Sequence, residues 1–363
     1  MKFKTNKADL LSGIQTTQGV ITSKAALPIL SNILIESIQD GVKLTATDLD
    51  IGISCEIPVE IQERGSITVP AKRFGEIIRD LPGEDINIHI KKNNLVLIET
   101  QKCQFKIMGL PGDEFPKLPE FKDKQVIKIE QETLKSMLGL TSFAVSYDES
   151  RYILNGILFK ISKDKLTLVA TDGKRLAIIE KKLKQPADKE LKFIVPIKTI
   201  QELNRNLGGP GELSLTLGDN QALFDLGAVI VVSRLIEGEF PDYQQVVPPA
   251  SDNKIGVSRE DFLLGVKRAA LLSTPDYQAV KLESFKDRMV ISKTTPDVGE
   301  SREEIRAEYK GKEIAAGFNP QYLVDVLKNL TDESIDFELA DSEKPGVIRR
   351  EGYTYIVLPM RLS

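Results

Sequence analysis

Ile67-Thr68-Val69-Pro70-Ala71-Lys72-Arg73-Phe74, running on to Leu81, decides the architecture because its pattern occurs three times. A β-branched run ends on proline and passes directly into apolar residues at helical spacing, which reads as a strand feeding a helix. The same join returns as Ile194-Val195-Pro196-Ile197-Lys198 running on to Leu207, and as Ala316-Gly317-Phe318-Asn319-Pro320 running on to Leu330. Val69, Val195 and Phe318 stand 126 and 123 residues apart. A fixed period of that kind marks a repeated domain.

Two more landmarks keep the period. Leu10, Leu134 and Phe262, at offsets of 124 and 128, open apolar rows at helical spacing, such as Leu134, Met137, Leu138 and Phe262, Val266, Ala269, Ala270. Leu110-Pro111 and Phe115-Pro116 are answered by Leu235 and Phe240-Pro241, and then by Leu358-Pro359. Even a turn repeats, since Asp48 and Asp172 lie 124 apart. Between the helices run period-two stretches such as Lys43-Leu44-Thr45-Ala46-Thr47 and Lys165-Leu166-Thr167-Leu168-Val169, separated by Asn, Asp and Gly. Each repeat therefore reads as two helices with about eight antiparallel strands, an α+β domain. The expected domains are 1–121, 126–248 and 253–363, with polar or proline-bearing joints from Phe121 to Gln125 and Pro248 to Asn253.

Composition narrows the functional classes. The chain has 363 residues, 41% of them hydrophobic, enough for a sizeable core. No run approaches the roughly 20 apolar residues of a membrane helix, and Met1-Lys2-Phe3-Lys4 does not open a signal peptide, so a cytoplasmic protein with no membrane partner is expected. Two cysteines, Cys55 and Cys103, are too few for a disulfide framework. The single histidine, His89, sits in the alternation Ile86-Asn87-Ile88-His89-Ile90, pointing away from the isoleucines. No P-loop or GxSxG occurs, and Gly208-Gly209-Pro210-Gly211 follows a helix pattern where a connector is wanted. Neither a catalytic residue nor a metal or other cofactor is expected.

Charge suggests how the ends behave. The first repeat carries Lys91-Lys92 and Lys102-Cys103-Gln104-Phe105-Lys106-Ile107, and the third carries Asp297-Val298-Gly299-Glu300-Ser301-Arg302-Glu303-Glu304. An unpaired strand edge invites another chain, and head-to-tail contacts close into a ring when the rotation permits. A bead-like scaffold and a closed ring both remain open on this evidence.

Five segments then carry a resemblance: Leu27-Pro28-Ile29-Leu30-Ser31-Asn32-Ile33-Leu34, Arg151-Tyr152-Ile153-Leu154-Asn155-Gly156, Ala170-Thr171-Asp172-Gly173-Lys174-Arg175-Leu176-Ala177, Gly238-Glu239-Phe240-Pro241-Asp242-Tyr243 and Pro359-Met360-Arg361-Leu362. In kind and order they resemble the bacterial sliding clamps, the β subunits of DNA polymerase III, across all three repeats. The resemblance implies three sliding-clamp domains per chain and a ring-shaped, head-to-tail homodimer whose twelve helices line a hole around duplex DNA. Twelve helices of about 10 Å diameter, side by side, leave a bore of about 28 Å, wide enough for a duplex and a layer of water. A fit so loose does not read base sequence.

The same resemblance implies that the protein catalyses nothing and tethers polymerases to DNA. It places a pocket for short peptides of polymerase and clamp-loader subunits between the second and third domains, built from Leu154, Thr171, Gly173, Lys174, Arg175, Leu176, Pro241, Gln245, Val246, Asn319, Leu358, Pro359, Met360, Arg361 and Leu362. Arg175 is expected to meet ligand carboxylate or carbonyl groups at the rim. Gln245 and Lys174 depart from the arginine and histidine of some members, which bears on peptide preference. Lys24, Arg73, Tyr152 and Lys198 are implied nearest DNA, and Phe105 and Ile107 against Leu271 and Leu272 at the dimer interface. The formal charge of −4 is compatible with DNA because the six helical segments carry more basic than acidic residues. The alternative to a clamp is a scaffold that uses the same pocket without DNA.

Overall fold

A computed structural model describes residues 1–21, 27–121 and 125–362; Lys24 lies outside the described residues. Six α-helices are present among them: α1 (Lys7–Gln18), α2 (Ala71–Asp80), α3 (Gln131–Gly139), α4 (Ile197–Asn206), α5 (Arg259–Ala270) and α6 (Pro320–Asn329). Local chemistry starts each in a readable way. Asn6 caps α1 by accepting from Ala8 N, and Asn319 caps α6 by accepting from Gln321 N, with Pro320 in the first turn. Ser258 caps α5, whose Glu260 and Asp261 face the positive end of the helix dipole and whose Lys267 and Arg268 face the negative end. In α2, Ala71, Phe74 and Ile78 are buried while Lys72, Arg73, Glu76 and Arg79 are exposed. Burial of Phe74 or Ile78 contributes about 1.5–3 kcal/mol each.

The chain divides into two compact units, Met1–Leu134 with Lys198–Leu235, and Lys135–Ile197 with Ile236–Ser363. Strands of the central repeat therefore serve both. In the first unit a nine-stranded sheet crosses from the first repeat into the second where Ile51–Pro58 pairs antiparallel with Val229–Arg234, in the register Ile53 to Val231. A five-stranded sheet completes this unit, with Gln104–Met108 at one edge. Phe3, Leu10, Ile14, Phe74, Ile86 and Val96 belong to one core shared by both sheets and the helices α1 and α2. In the second unit a series of twelve strands crosses from the second repeat into the third where Arg175–Lys182 pairs with Tyr353–Val357, in the register Leu176 to Ile356. Phe337 stands edge-on to Phe262 of α5 at 5.8 Å and to Phe318 at 5.6 Å, locking helix to sheet.

Hydrogen bonds correct one expected correspondence between repeats. Leu358 N donates to Lys174 O at 2.9 Å, and the same place in the first unit is taken by Arg234, whose N donates to Asp50 O at 2.7 Å. Leu110, Ile236 and Met360 form the other matched set, each bridged to the strand that precedes a helix. Matching the leucines by identity pairs Leu358 with Leu235 instead. That is a slip of one residue, and in a strand one residue exchanges the two faces.

His89 is half-buried between its partners Lys2 and Leu97, on the side of the strand opposite the buried Ile86 and Ile88. Cys55 is buried with its thiol toward Gly13 O at 3.5 Å, whereas Cys103 is half-buried. Burial, aided by Glu56, pushes the Cys55 thiol up to about 12. The unfolded thiol ionises first, near 9.0, so this group leaves stability unchanged below that pH and lowers it as pH rises from 9.0 toward 12. Iodoacetamide at pH 8 should label native protein at Cys103 and leave Cys55 unmodified, because only about one Cys55 thiol in 10⁴ is ionised at that pH. Peptide mapping that finds Cys55 alkylated as fast as Cys103 without denaturant contradicts this.

Candidate functional site

The site begins at a turn. Thr171 Oγ1 donates to Arg175 O at 2.5 Å and accepts from Gly173 N at 3.0 Å, while Asp172 Oδ1 accepts from Lys174 N at 2.9 Å and Arg175 N at 3.0 Å. Threonine and aspartate thus satisfy the backbone of a reversal that no strand ladder could pair. The turn requires a φ of +85° at its centre, where Gly173 carries no Cβ to resist it. Leu176 then enters the ladder beside Ile356, and both are 3% exposed.

A strap crosses this point. Phe240 anchors it at 4% exposure, and Asp242 Oδ1 caps the 3-10 turn Tyr243–Val246 by accepting from Gln244 N at 3.1 Å. Between strap, turn and ladder lies a cavity of about 210 Å³ lined by Leu154, Thr171, Gly173, Lys174, Arg175, Leu176, Pro241, Asp242, Tyr243, Val246, Ile356 and Leu358. Its floor is apolar, and Val246 and Leu358 stand 60% and 44% exposed at its rim. The volume is below the range of about 300–1,000 Å³ typical of cofactor and drug-sized sites. It suits one or two apolar side chains of an extended ligand. Among the described residues no group of three His, Cys, Asp or Glu is arranged to hold a metal.

Nine expected pocket residues meet here, and six do not. Gln245 turns to Asp242 Oδ2 at 2.9 Å. Asn319 caps α6, and Met360 N bonds Gly317 O at 2.8 Å with Leu362 close by, so these gather at the end of the strand Ile314–Phe318 rather than around the cavity. Pro359 and Arg361 line no part of it either. Tyr243, Asp242 and Ile356 were missed; the first two lie in the Gly238–Tyr243 signature, and Ile356 could be found only from strand register.

Arg175 behaves differently from expectation. Its side chain is 9% exposed, its Nε meets Asp172 Oδ2 at 3.0 Å, and its Nη1 meets Asp325 Oδ2 at 2.6 Å. The guanidinium also lies over Tyr322 at 4.4 Å and Phe143 at 5.7 Å. Burial works against the charge, but the hydrogen bond donated to Asp325 and the fields of Tyr355 and Asp172 outweigh it and raise the pKa. With both donor edges directed inward, Arg175 fixes the turn rather than reaching out to a ligand carboxylate.

The other expected groups are scattered. Arg73 is exposed on α2, and Tyr152 is 57% exposed within Glu149–Leu154. Lys198 is ion-paired with Asp48, and its Nζ also lies 3.4 Å from Val20 O. Phe105 is 39% exposed on the edge strand Gln104–Met108, but its neighbour Ile107 is 8% exposed and belongs to the core of the first unit. Both side chains stand on the same face of the strand, two residues apart, and Ile107 packs deeper, in the core of the first unit. Leu271, at the end of α5, is 81% exposed and Leu272 half-buried.

Three copies of an α+β domain, sheets fused across repeat boundaries and a small apolar cavity define a protein of the DNA-clamp class. The three family models for the N-terminal, central and C-terminal domains of the DNA polymerase III beta subunit match residues 1–119, 128–242 and 244–361. The beta sliding clamp of Bacillus subtilis is 33% identical, over 99% of this chain and all of that protein. The crystal structure of the Bacillus subtilis clamp superimposes with a TM-score of 0.95 at 32% identity, and that of a Pseudomonas aeruginosa clamp bound to griselimycin with 0.94 at 32%, each over the full length of both chains. The chain belongs to the DNA polymerase III beta subunit family, the beta sliding clamps. It is a processivity subunit that encircles DNA and tethers the polymerase without catalysing a reaction, and the reading as a DNA-independent scaffold falls away.

Because the Arg175 pairs are largely buried, removing Asp325 leaves the guanidinium to Asp172 alone and its Nη1 without a carboxylate. Asp325→Ala should lower stability by about 3 kcal/mol, seen as a fall in the urea midpoint. A midpoint within error of the unaltered protein would show that Asp172 and the neighbouring rings suffice to hold the charge.

Proposed function

We propose that the cavity bounded by Leu176, Pro241, Val246, Ile356 and Leu358 receives the short peptide motifs by which polymerases and clamp-loader subunits hold this clamp. The observation that carries this reading is the pairing of two exposed apolar side chains, Val246 and Leu358, with a preformed apolar floor. Exposed apolar groups around a cavity mark an interaction site on a surface that is otherwise polar. The griselimycin complex of the Pseudomonas aeruginosa clamp agrees with it. Met360 and Leu362, 36% and 46% exposed, extend the apolar surface beyond the cavity for the remainder of a peptide. The chain works as three domains, 1–121, 126–248 and 253–363, in the cytoplasm. No helix among the described residues is long and apolar enough to cross a membrane.

Ring closure uses two strand edges. Gln104–Met108 is the outer strand of its sheet, and Gly299–Tyr309 pairs on one side through residues 299–306 but on the other only from Ala307 onward. Each leaves backbone donors and acceptors unmet, and Lys106 on one edge complements Glu300 and Glu304 on the other. Phe105, Leu271 and Leu272 supply the apolar centre of this contact between two copies.

For DNA, the helices carry eleven basic against eight acidic side chains in a protein of net charge −4. Several of the basic groups are spent internally: Lys7 on Leu81 O, Arg205 on Glu202, Arg259 on Asp332 O and Leu327 O, Arg268 on Glu303. Lys72, Arg73, Arg79, Lys267 and Lys328 are exposed and have no ion pair among the described residues. Arg73, with its neighbours Lys72 and Arg79, is the strongest candidate to touch phosphate, Tyr152 is a second, and Lys24 is retained from the family pattern.

Griselimycin binding measured by calorimetry tests the pocket. Leu358→Asp with Val246→Asp should weaken it at least tenfold while the thermal midpoint holds, and unchanged affinity rejects this cavity. Leu272→Asp should give a monomer in analytical ultracentrifugation and abolish retention on nicked circular DNA, because a carboxylate buried there has no partner; a variant still dimeric removes Leu272 from the interface.

A further inference from the structure

The turn that opens the pocket has a copy in the first unit. Thr47 Oγ1 donates to Ile51 O at 2.9 Å and accepts from Leu49 N at 3.0 Å, while Asp48 Oδ1 accepts from Asp50 N at 3.0 Å and Ile51 N at 2.9 Å. These are the bonds of Thr171 and Asp172, and Leu49 adopts a φ of +81° where Gly173 adopts +85°. Gly52 faces Val232 across its ladder as Leu176 faces Ile356. A strap follows as well, with Phe115 at 4% exposure in the place of Phe240.

Among the residues that differ, those at the floor and the rim close the copy. The floor position is Gly52 instead of Leu176, and Leu118 descends from the strap until its Cδ2 takes the place that a Cβ on Gly52 would need. In the second unit the floor leucine rises from the sheet and leaves the space above it empty. In the first unit the leucine arrives from the strap, at the place of Tyr243, and its end lies over Gly52. At the rim, Arg234 replaces Leu358 and reaches Asp50 at 3.8 Å. Beneath the strap the counterparts of apolar Val169 and Ile178 are Thr45 and Ser54, and Thr45 Oγ1 is 4% exposed with no hydrogen-bond partner. Phe115 and Leu118 are the apolar anchors of a strap over mixed ground, where Glu36, Lys43, Thr45 and Ser54 lie beside Leu34 and Val232.

We infer that the first unit holds a second site for a short peptide with an apolar anchor, and that the chain's own Leu118 is its resident occupant. The clamp thereby offers one open peptide pocket per chain although its repeats build two. This rests on the reading of the second-unit cavity as a peptide pocket. It predicts that the closed site is made accessible by moving the leucine from the strap to the floor.

The test counts griselimycin equivalents bound per chain by calorimetry, with native mass spectrometry as a check. The unaltered protein should bind one, the double variant Gly52→Leu with Leu118→Gly should bind two, and adding Leu358→Asp should return that variant to one rather than none. A double variant that still binds one equivalent, or that binds none once Leu358→Asp is added, overturns the inference. An unaltered protein that binds none counts against the pocket reading alone, provided the double variant gains an equivalent; if neither binds, both fail. Should the double variant melt well below the unaltered protein, Leu118→Ala reads the same outcome, a second and weaker equivalent for and a single one against.

Discussion

Backbone pairing between Ile51–Pro58 and Val229–Arg234, and between Arg175–Lys182 and Tyr353–Val357, is the constraint on which the other features rest. A strand left unpaired at a repeat boundary would expose a row of donors and acceptors, each costly to desolvate unmet. Pairing across the boundary satisfies them and turns what sequence periodicity marks as a joint into the interior of a sheet. Ile53, Val231, Leu176 and Ile356, all at such boundaries, are fully or nearly buried for this reason.

The pocket is a by-product of the second of these ladders. Where the ladder begins, Arg175 and its turn must be held, and Asp172, Asp325, Tyr322 and Phe143 hold it from the inner side. The outer side is thereby free to be apolar, since the polar groups of the turn have already found partners. A site so arranged recognises shape and apolar surface more than charge, which suits a protein that serves several partners in turn. Charge is handled elsewhere, by a helix layer with a small basic excess whose pairs to Asp48, Glu202 and Glu303 keep part of it from acting on DNA.

Much of this was legible before any coordinates. The strand-Pro-helix join and the Asp48 and Asp172 turn are local, and local patterns survive in sequence. What stayed hidden is what depends on distant pairing. Asp325 lies 150 residues from Arg175, so nothing near Arg175 warned that its donors were committed inward. Ile107 and Phe105 share one face of their strand, and only the packed structure shows that Ile107 is buried in the core while Phe105 is 39% exposed. Arg234 was overlooked as the partner of Leu358 because matching leucines by identity ignores which backbone groups face each other. Lys198 carried the right charge in the right segment, but its neighbour Asp48 came from a turn about which helix periodicity says nothing.

The division of the central repeat also has a consequence in time. Arg175–Lys182 finds its outer partner only in Tyr353–Val357, close to the last residues of the chain. The ribosome adds roughly 170 residues between them, at about 5–20 residues per second, so this edge stays open for roughly ten to thirty seconds of synthesis. Its sequence, Arg-Leu-Ala-Ile-Ile-Glu-Lys-Lys, ends on a glutamate and two lysines. Those charges stand guard at the exposed end of an apolar strand while it waits, a gatekeeping arrangement that the finished clamp no longer needs.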